Sequence, residues 1–173
     1  MLTFLTGCSC TLISKRKIMV EFILRPLTDE DIRPLWQSCY ADRDFVAVRA
    51  QMLGSLAWQE KGARVHLVVD VAGKGVVGAG HVGRYGRKAE IADVIVAETW
   101  RRCGLGSALV RELCDIATAR AWRPLEIGVL TTNLGALRLY QRLGFRQVKI
   151  IQLANEKNAL VLRQVNDEID VLV

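Results

Sequence analysis

Several things are scarce in this chain of 173 residues, and each scarcity removes a class of function. No apolar run approaches the roughly 20 residues of a membrane-crossing helix, so the expectation is a soluble protein with no membrane partner. Histidine occurs twice, as His66 and His81, and the 5 cysteines at 8, 10, 39, 103 and 114 include no Cys-x-x-Cys. No credible metal set follows, and reduced thiols with a cytoplasmic home are the simplest reading. Neither a ribonucleoprotein motif nor a zinc finger is present, so no specific nucleic acid is expected. The net charge of +6 points the other way only weakly. Lys15, Arg16 and Lys17 sit in an atypical leader, and without them 21 basic residues face 18 acidic ones, a surplus that suits a polyanionic ligand as well as nucleic acid.

That leader, residues 1–18, differs in character from the rest of the chain. Leu5-Thr-Gly-Cys8 superficially matches a lipobox, but no positive charge precedes it and the apolar stretch is too short for an export signal. The expectation is a disordered tail, or an extension upstream of a start at Met19. Residues 19–173 then make one domain, a length that buries most of its apolar surface around one core, and 51% hydrophobic with 24% charged residues is ordinary globular composition.

The run from Glu90 to Gly106 organises the rest. Ile91 to Val96 is β-branched, a basic turn with Gly104 and Gly106 comes next, and Leu105, Ala108, Leu109, Leu113 and Ile116 then recur at helical spacing. This is strand, loop, helix. The loop falls at a helix N-terminus, where unpaired amides and the helix dipole can hold a phosphate. A glycine pair alone more often marks an ordinary tight turn. Nucleotide P-loops need Gly-Lys-Ser/Thr after a four-residue gap, and dinucleotide folds need a third glycine where Leu109 stands, so neither fits.

Elsewhere the chain reads as a strand from Val20 to Leu27, a helix beginning near 29 behind an N-cap at Thr28, and a helical region over 42–60. Val65–Val71, Val76–Val82 and Ile91–Val96 read as a meander joined by glycine-containing turns. After the helix spanning 104–120, Leu125–Leu130 predicts a right-handed crossover and a parallel pair. Asn133 can cap a short helix that Gly144 ends, and Phe145–Leu153 with Asn158–Val165 closes the sheet as a hairpin. His81 reads as a satisfied sheet residue more readily than as a catalyst.

Arg101-x-x-Gly104-x-Gly106 and Asn133-x-x-Ala136-x-x-x-Tyr140-x-x-x-Gly144-Phe145 together resemble motifs A and B of the GNAT N-acetyltransferase family, over about residues 20–165. The resemblance implies an α/β (α+β) acyl-CoA N-acyltransferase fold, with a mixed, mostly antiparallel sheet of about seven strands and about four helices. It implies acetyl-CoA lying where the sheet splays. Val94, Ile95 and Val96 would meet pantetheine and thioester, Arg101, Arg102, Cys103, Gly104, Leu105, Gly106 and Ser107 the pyrophosphate, and Asn133 and Tyr140 the cofactor arm. Eleven residues before Arg101, Glu90 matches the general base of some members, and Tyr140 the acid that protonates the leaving thiolate. Asp93, on the opposite strand face by alternation, is the lesser base candidate.

Two departures stand out. Gly128 occupies the position where ribosomal-protein alanine acetyltransferases keep a glutamate, with Glu126 two residues earlier either substituting or merely solvated. Cys103 replaces a usual basic residue or glycine, and reads either as a small, inert loop filler or, at a helix N-terminus beside two arginines, as the most reactive of the five thiols. The implied reaction is acetyl transfer to a primary amine, small molecule or protein, by direct attack in a ternary complex, and the chain is compatible with a homodimer. The alternatives are a longer-chain acyltransferase on the same fold and a CoA-binding sensor or accessory protein without robust catalysis.

Overall fold

The structure, a computed structural model, describes residues 8–13, 19–154 and 157–165. Its strands are β1 (Cys8–Ile13), β2 (Met19–Pro26), β3 (Arg64–Val71), β4 (Gly75–Tyr85), β5 (Lys88–Val96), β6 (Leu125–Leu130), β7 (Phe145–Gln152) and β8 (Asn158–Gln164). The helices are α1 (Ile32–Cys39), α2 (Phe45–Glu60), α3 (Leu105–Ala119) and α4 (Leu134–Arg142). All eight strands join one sheet in the order β1-β2-β3-β4-β5-β6-β8-β7, antiparallel throughout except for β5 against β6. The expected mixed sheet and four helices are therefore present. The eighth strand is β1, inside the leader from which no strand was expected; it pairs antiparallel with β2. The other leader residues and the turn at 155–156 lie outside the described residues.

Thr28 opens the first helical segment as its sequence predicts: its amide and hydroxyl both donate to the Asp31 carboxylate, at 2.9 and 2.8 Å. Leu27 and Ile32 are buried beside each other's elements in one cluster, as a hydrophobic staple requires. A short 3-10 turn, Asp29–Asp31, precedes α1, so Pro34 falls at the third helical position, where its missing N–H removes nothing the helix would use.

Two apolar layers hold the sheet. Helices α1 and α2 cover one face through Leu35, Val48 and Met52, which meet Val68 and Ala79 of the sheet. On the other face α3 sinks Leu105, Leu109 and Leu113 against Val69, Val82, Ile91, Leu125 and Ile127, and Tyr140 of α4 joins them. Each fully buried leucine contributes about 1.5–3 kcal/mol, so this i, i+4, i+8 stripe alone fixes α3 to the sheet.

The sheet opens in the middle. β5 and β6 pair in parallel only over Ala89–Ile91 against Leu125–Ile127, after which the strands part. Next to the opening, the register of β4 with β5 slips between Ala79 and His81, and Asp93 adopts a positive φ of 54°. This is a β-bulge, which bends the strand and reverses its inside–outside alternation. Gly78 permits the close approach: a Cβ there would stand 2.8 Å from the Ile95 carbonyl oxygen.

Candidate active site

The opening between β5 and β6 leads into a cavity of about 600 Å³. One wall is strand: Val94, Ile95 and Val96. Another is the start of α3 with the turn before it, comprising Trp100, Arg101, Arg102, Gly104, Gly106 and Ser107, and the third is α4, from Asn133 through Ala136 and Leu139 to Tyr140 and Arg142. Two motifs far apart in sequence thus face one another across one space.

The α3 end is built to leave amides free. Gly104, in the left-handed region at φ 89°, is the N-cap, and the amides of Ser107 and Ala108 both close on its carbonyl at 3.0 Å. The amides of Leu105 and Gly106 keep no hydrogen-bond partner among the described residues. With the helix dipole behind them and Arg101, Arg102 and Arg142 around the cavity, they can cradle a phosphate. A Cβ on Gly106 would reach Leu139 Cδ1 at 3.5 Å and Val96 Cγ2 at 3.8 Å, two cavity-lining residues. Glycine at this position keeps the cavity open.

Most of the anticipated cofactor residues line the cavity; Leu105 and Cys103 do not. Successive helical residues rotate by about 100°, so the first turn that presents Gly104 and Gly106 points Leu105 into the core, where it is buried. Cys103 packs half-buried against the same core, with its thiol near the Arg101 carbonyl. Val96 departs from expectation in another way: its carbonyl accepts from Arg101 Nε at 3.2 Å and is already engaged. Asn133 performs two tasks, since it caps α4 by accepting from Ala136 N at 3.1 Å while lining the cavity. Trp100, Gly135, Ala136, Leu139 and Arg142 were missed. Only Ala136 carried a motif signal; Gly135, Leu139 and Arg142 follow from α4 lying with one face toward α3, and Trp100 from the short turn before α3.

The ionisable groups fall into two sets. Tyr140 is 6% exposed, and burial pushes its phenol up to about 12. Glu90 stands at the base of β5, in register with Glu126 of β6 and outside the cavity wall. Burial first, then the charges of Glu126 and Asp93, raise its carboxyl pKa. Glu126 is held in ion pairs rather than simply solvated. Burial would raise its pKa, but hydrogen bonds from Arg163 at 2.7 Å and Lys88 at 3.1 Å outweigh that and hold it below the usual range. Asp93 corrects the alternation argument: the bulge turns it to the α2 face, where Gln51 Nε2 donates to Oδ2 at 2.9 Å and His81 Nδ1 lies 3.6 Å away.

Comparison with known proteins agrees with this arrangement. The profile of the Acetyltransferase (GNAT) family matches residues 28–145. An uncharacterised N-acetyltransferase of Methanocaldococcus jannaschii is 34% identical over 64 residues, 37% of this chain and 28% of that protein. The chain matches no more than about a third of the length of its first curated relatives, whose covered shares are 28% and 36%. Among solved structures, the ribosomal-protein-alanine N-acetyltransferase of Brucella melitensis superposes with a TM-score of 0.70 at 22% identity, covering 83% of this chain and 99% of that one. A ribosomal L7/L12 alpha-N-protein acetyltransferase in complex with coenzyme A gives 0.71 at 13% identity, over 84% and 94%. These two similarities establish a common fold. With both motifs facing one cavity and the family profile spanning more than half of its length, the chain belongs to the GNAT acetyltransferase family.

Proposed function

We propose that the protein transfers the acetyl group of acetyl-CoA to a primary amine by direct attack within a ternary complex. The observation that carries this reading is the convergence of free α3 amides, Arg101, Arg102 and Arg142, and a buried phenol on one cavity beside an opened strand. The amides and arginines suit a pyrophosphate, the strand edge at Val94 and Ile95 suits the amide-bearing arm of the cosubstrate, and Tyr140 stands where the arm would end.

An ammonium has no lone pair, so a base must act first. Glu90 takes that proton, and its raised carboxyl pKa makes it the stronger acceptor. The amine nitrogen then bonds to the thioester carbonyl carbon, the Val94 amide stabilising the oxyanion, and Tyr140 gives its proton to sulfur as the C–S bond breaks. Burial raises the phenol further, so it is fully protonated throughout the neutral range. The nitrogen gives its second proton to the phenolate, which restores Tyr140, and Glu90 releases the first proton to solvent.

A thiol-release screen with acetyl-CoA against aliphatic amines, amino acids and N-terminal peptides tests the proposal. Release of CoA that depends on an amine supports it. Tight CoA binding with no release from any acceptor would instead support a sensor.

A further inference from the structure

Glu126 is matched by Lys88 and Arg163, yet no lysine or arginine forms an ion pair with Glu90 or Asp93 among the described residues. Asp93 is also the residue whose backbone is least relaxed on this strand. A non-glycine residue at φ 54° is disfavoured, and here the conformation turns the side chain from the α3 face to the α2 face, one residue before Val94 of the cavity wall. Its carboxylate is then held at one oxygen only. Gln51 Nε2 donates to Oδ2 at 2.9 Å, Gln51 Oε1 accepts in turn from Arg43 Nη2 at 3.1 Å, and Oδ1 carries no hydrogen bond among the described residues. The side chain remains 40% exposed.

A second observation is independent of the carboxylates. His81 is 3% exposed, both of its ring nitrogens are buried without a hydrogen-bond partner, and Nδ1 points to Asp93 Oδ2 at 3.6 Å. A contraction of a few tenths of an ångström would let a neutral imidazole donate Nδ1–H to that oxygen, fixing the carboxylate from beneath while Gln51 fixes it from above.

We propose that Asp93 captures the acceptor amine as its ammonium ion, with Gln51 and His81 as positioning residues, and so restricts acceptors to amines that are cationic at neutral pH. This rests on the acetyl-transfer reading and divides the labour on β5: Asp93 binds the cation through Oδ1, and Glu90 accepts the proton. Besides His81 and Gln51, the groups facing Asp93 are Tyr40 at the end of α1, Arg43 in the loop after it, and Glu90 on its own strand. Arg43 is directed to Gln51 and the Tyr40 ring, so it leaves Asp93 available to a cation. Burial, then the nearby Arg64 charge, pulls His81 down to about 4 against a weaker opposing pull from Asp93, which keeps the imidazole neutral at physiological pH.

The test uses n-butylamine, an ammonium at neutral pH, and aniline, which is uncharged there. Calorimetric titration of each into the CoA-saturated protein should show butylamine binding weakened about tenfold or more in Asp93→Asn, aniline binding weak and unmoved, and a smaller loss in Gln51→Met. The penalty of Asp93→Asn should shrink as the pH approaches the amine's own pKa. A role that is merely structural would not track the charge of the ligand. The thermal shift produced by acetyl-CoA should be the same in wild type and Asp93→Asn. Equal butylamine affinity in both proteins overturns the inference, as does a variant that binds butylamine normally but loses the acid limb of its pH–rate profile, which would make Asp93 the proton acceptor. Normal, Asp93-dependent binding of butylamine without thiol release from any amine would keep the inference and remove the acetyl-transfer reading.

Discussion

Burial raises the pKa of both the Tyr140 phenol and the Glu90 carboxyl, and the proposed reaction uses the two shifts in opposite senses. Tyr140 is the proposed proton donor to the leaving thiolate, so Tyr140→Phe should lower kcat about a hundredfold while the dissociation constant of acetyl-CoA changes little, as single-turnover and binding measurements would separate. A base with a raised pKa loses its proton-accepting form earlier on acidification. The pH–rate profile of the wild type should therefore fall on its acid side above the ordinary carboxylate range, and Glu90→Gln should abolish that limb and recover partly at high pH, where more amine arrives unprotonated. An unchanged acid limb in Glu90→Gln would move the base elsewhere. Tyr140, reached through motif B, lines the cavity, whereas Glu90, reached through its spacing from Arg101, stands outside the cavity wall. The orientation of Asp93 was not legible in the sequence, because strand alternation holds only while the register is regular, and a bulge one residue wide reverses it.

At the level of elements, the two glycines of the α3 turn do different work. Gly104 is needed for its backbone, at φ 89°, so Gly104→Val should cost about 1–3 kcal/mol of stability as well as ligand affinity. Gly106 is helical and meets only ordinary contacts, which makes it the cleaner probe. Gly106→Val should leave the melting temperature near that of the wild type and remove the rise that CoA produces, since the new side chain enters the cavity between Val96 and Leu139. Equal CoA-induced shifts in Gly106→Val and the wild type would dissociate the α3 turn from cofactor binding. Motif spacing is enough to locate this turn, but it treats Arg101 to Ser107 as one surface. The helix divides those residues by direction, sending Leu105 and Cys103 toward the core. The contributions of Leu139 and Arg142 depend on how α4 docks across the cavity, and no local pattern encodes that docking.

Across the whole molecule, the β3–β4–β5 meander was readable because its strands are short, locally patterned and joined by tight turns, and the parallel β5–β6 pair followed from the right-handed crossover through α3. Neither the insertion of β8 between β6 and β7 nor the pairing of β1 was readable, the latter because a polar-apolar hexapeptide carries little periodicity. The buried histidines give the fold a specific response to acid. Burial is the main cause that lowers His66 to about 3 and His81 to about 4, whereas in the unfolded chain both titrate near 6.5. Between about pH 6.5 and 4 the unfolded state binds protons that the folded state cannot, so stability is complete above that window and is lost progressively as the pH falls through it. Asp31 and Glu126, whose pKa values are lowered, add their losses only at more acidic pH. The urea midpoint should therefore drop from pH 7.5 to pH 5, before the carboxylates titrate, and the double substitution His66→Gln, His81→Asn should flatten that slope even if it lowers the midpoint overall. The central claim is that this chain moves an acetyl group from CoA to an amine, and the most direct measurement is the ratio of free CoA thiol released to acetylated amine formed, by mass spectrometry in the same reaction. The account predicts one product per thiol, both falling together in Tyr140→Phe; thiol release with no acetylated amine, or neither product from a protein that binds acetyl-CoA, would contradict it.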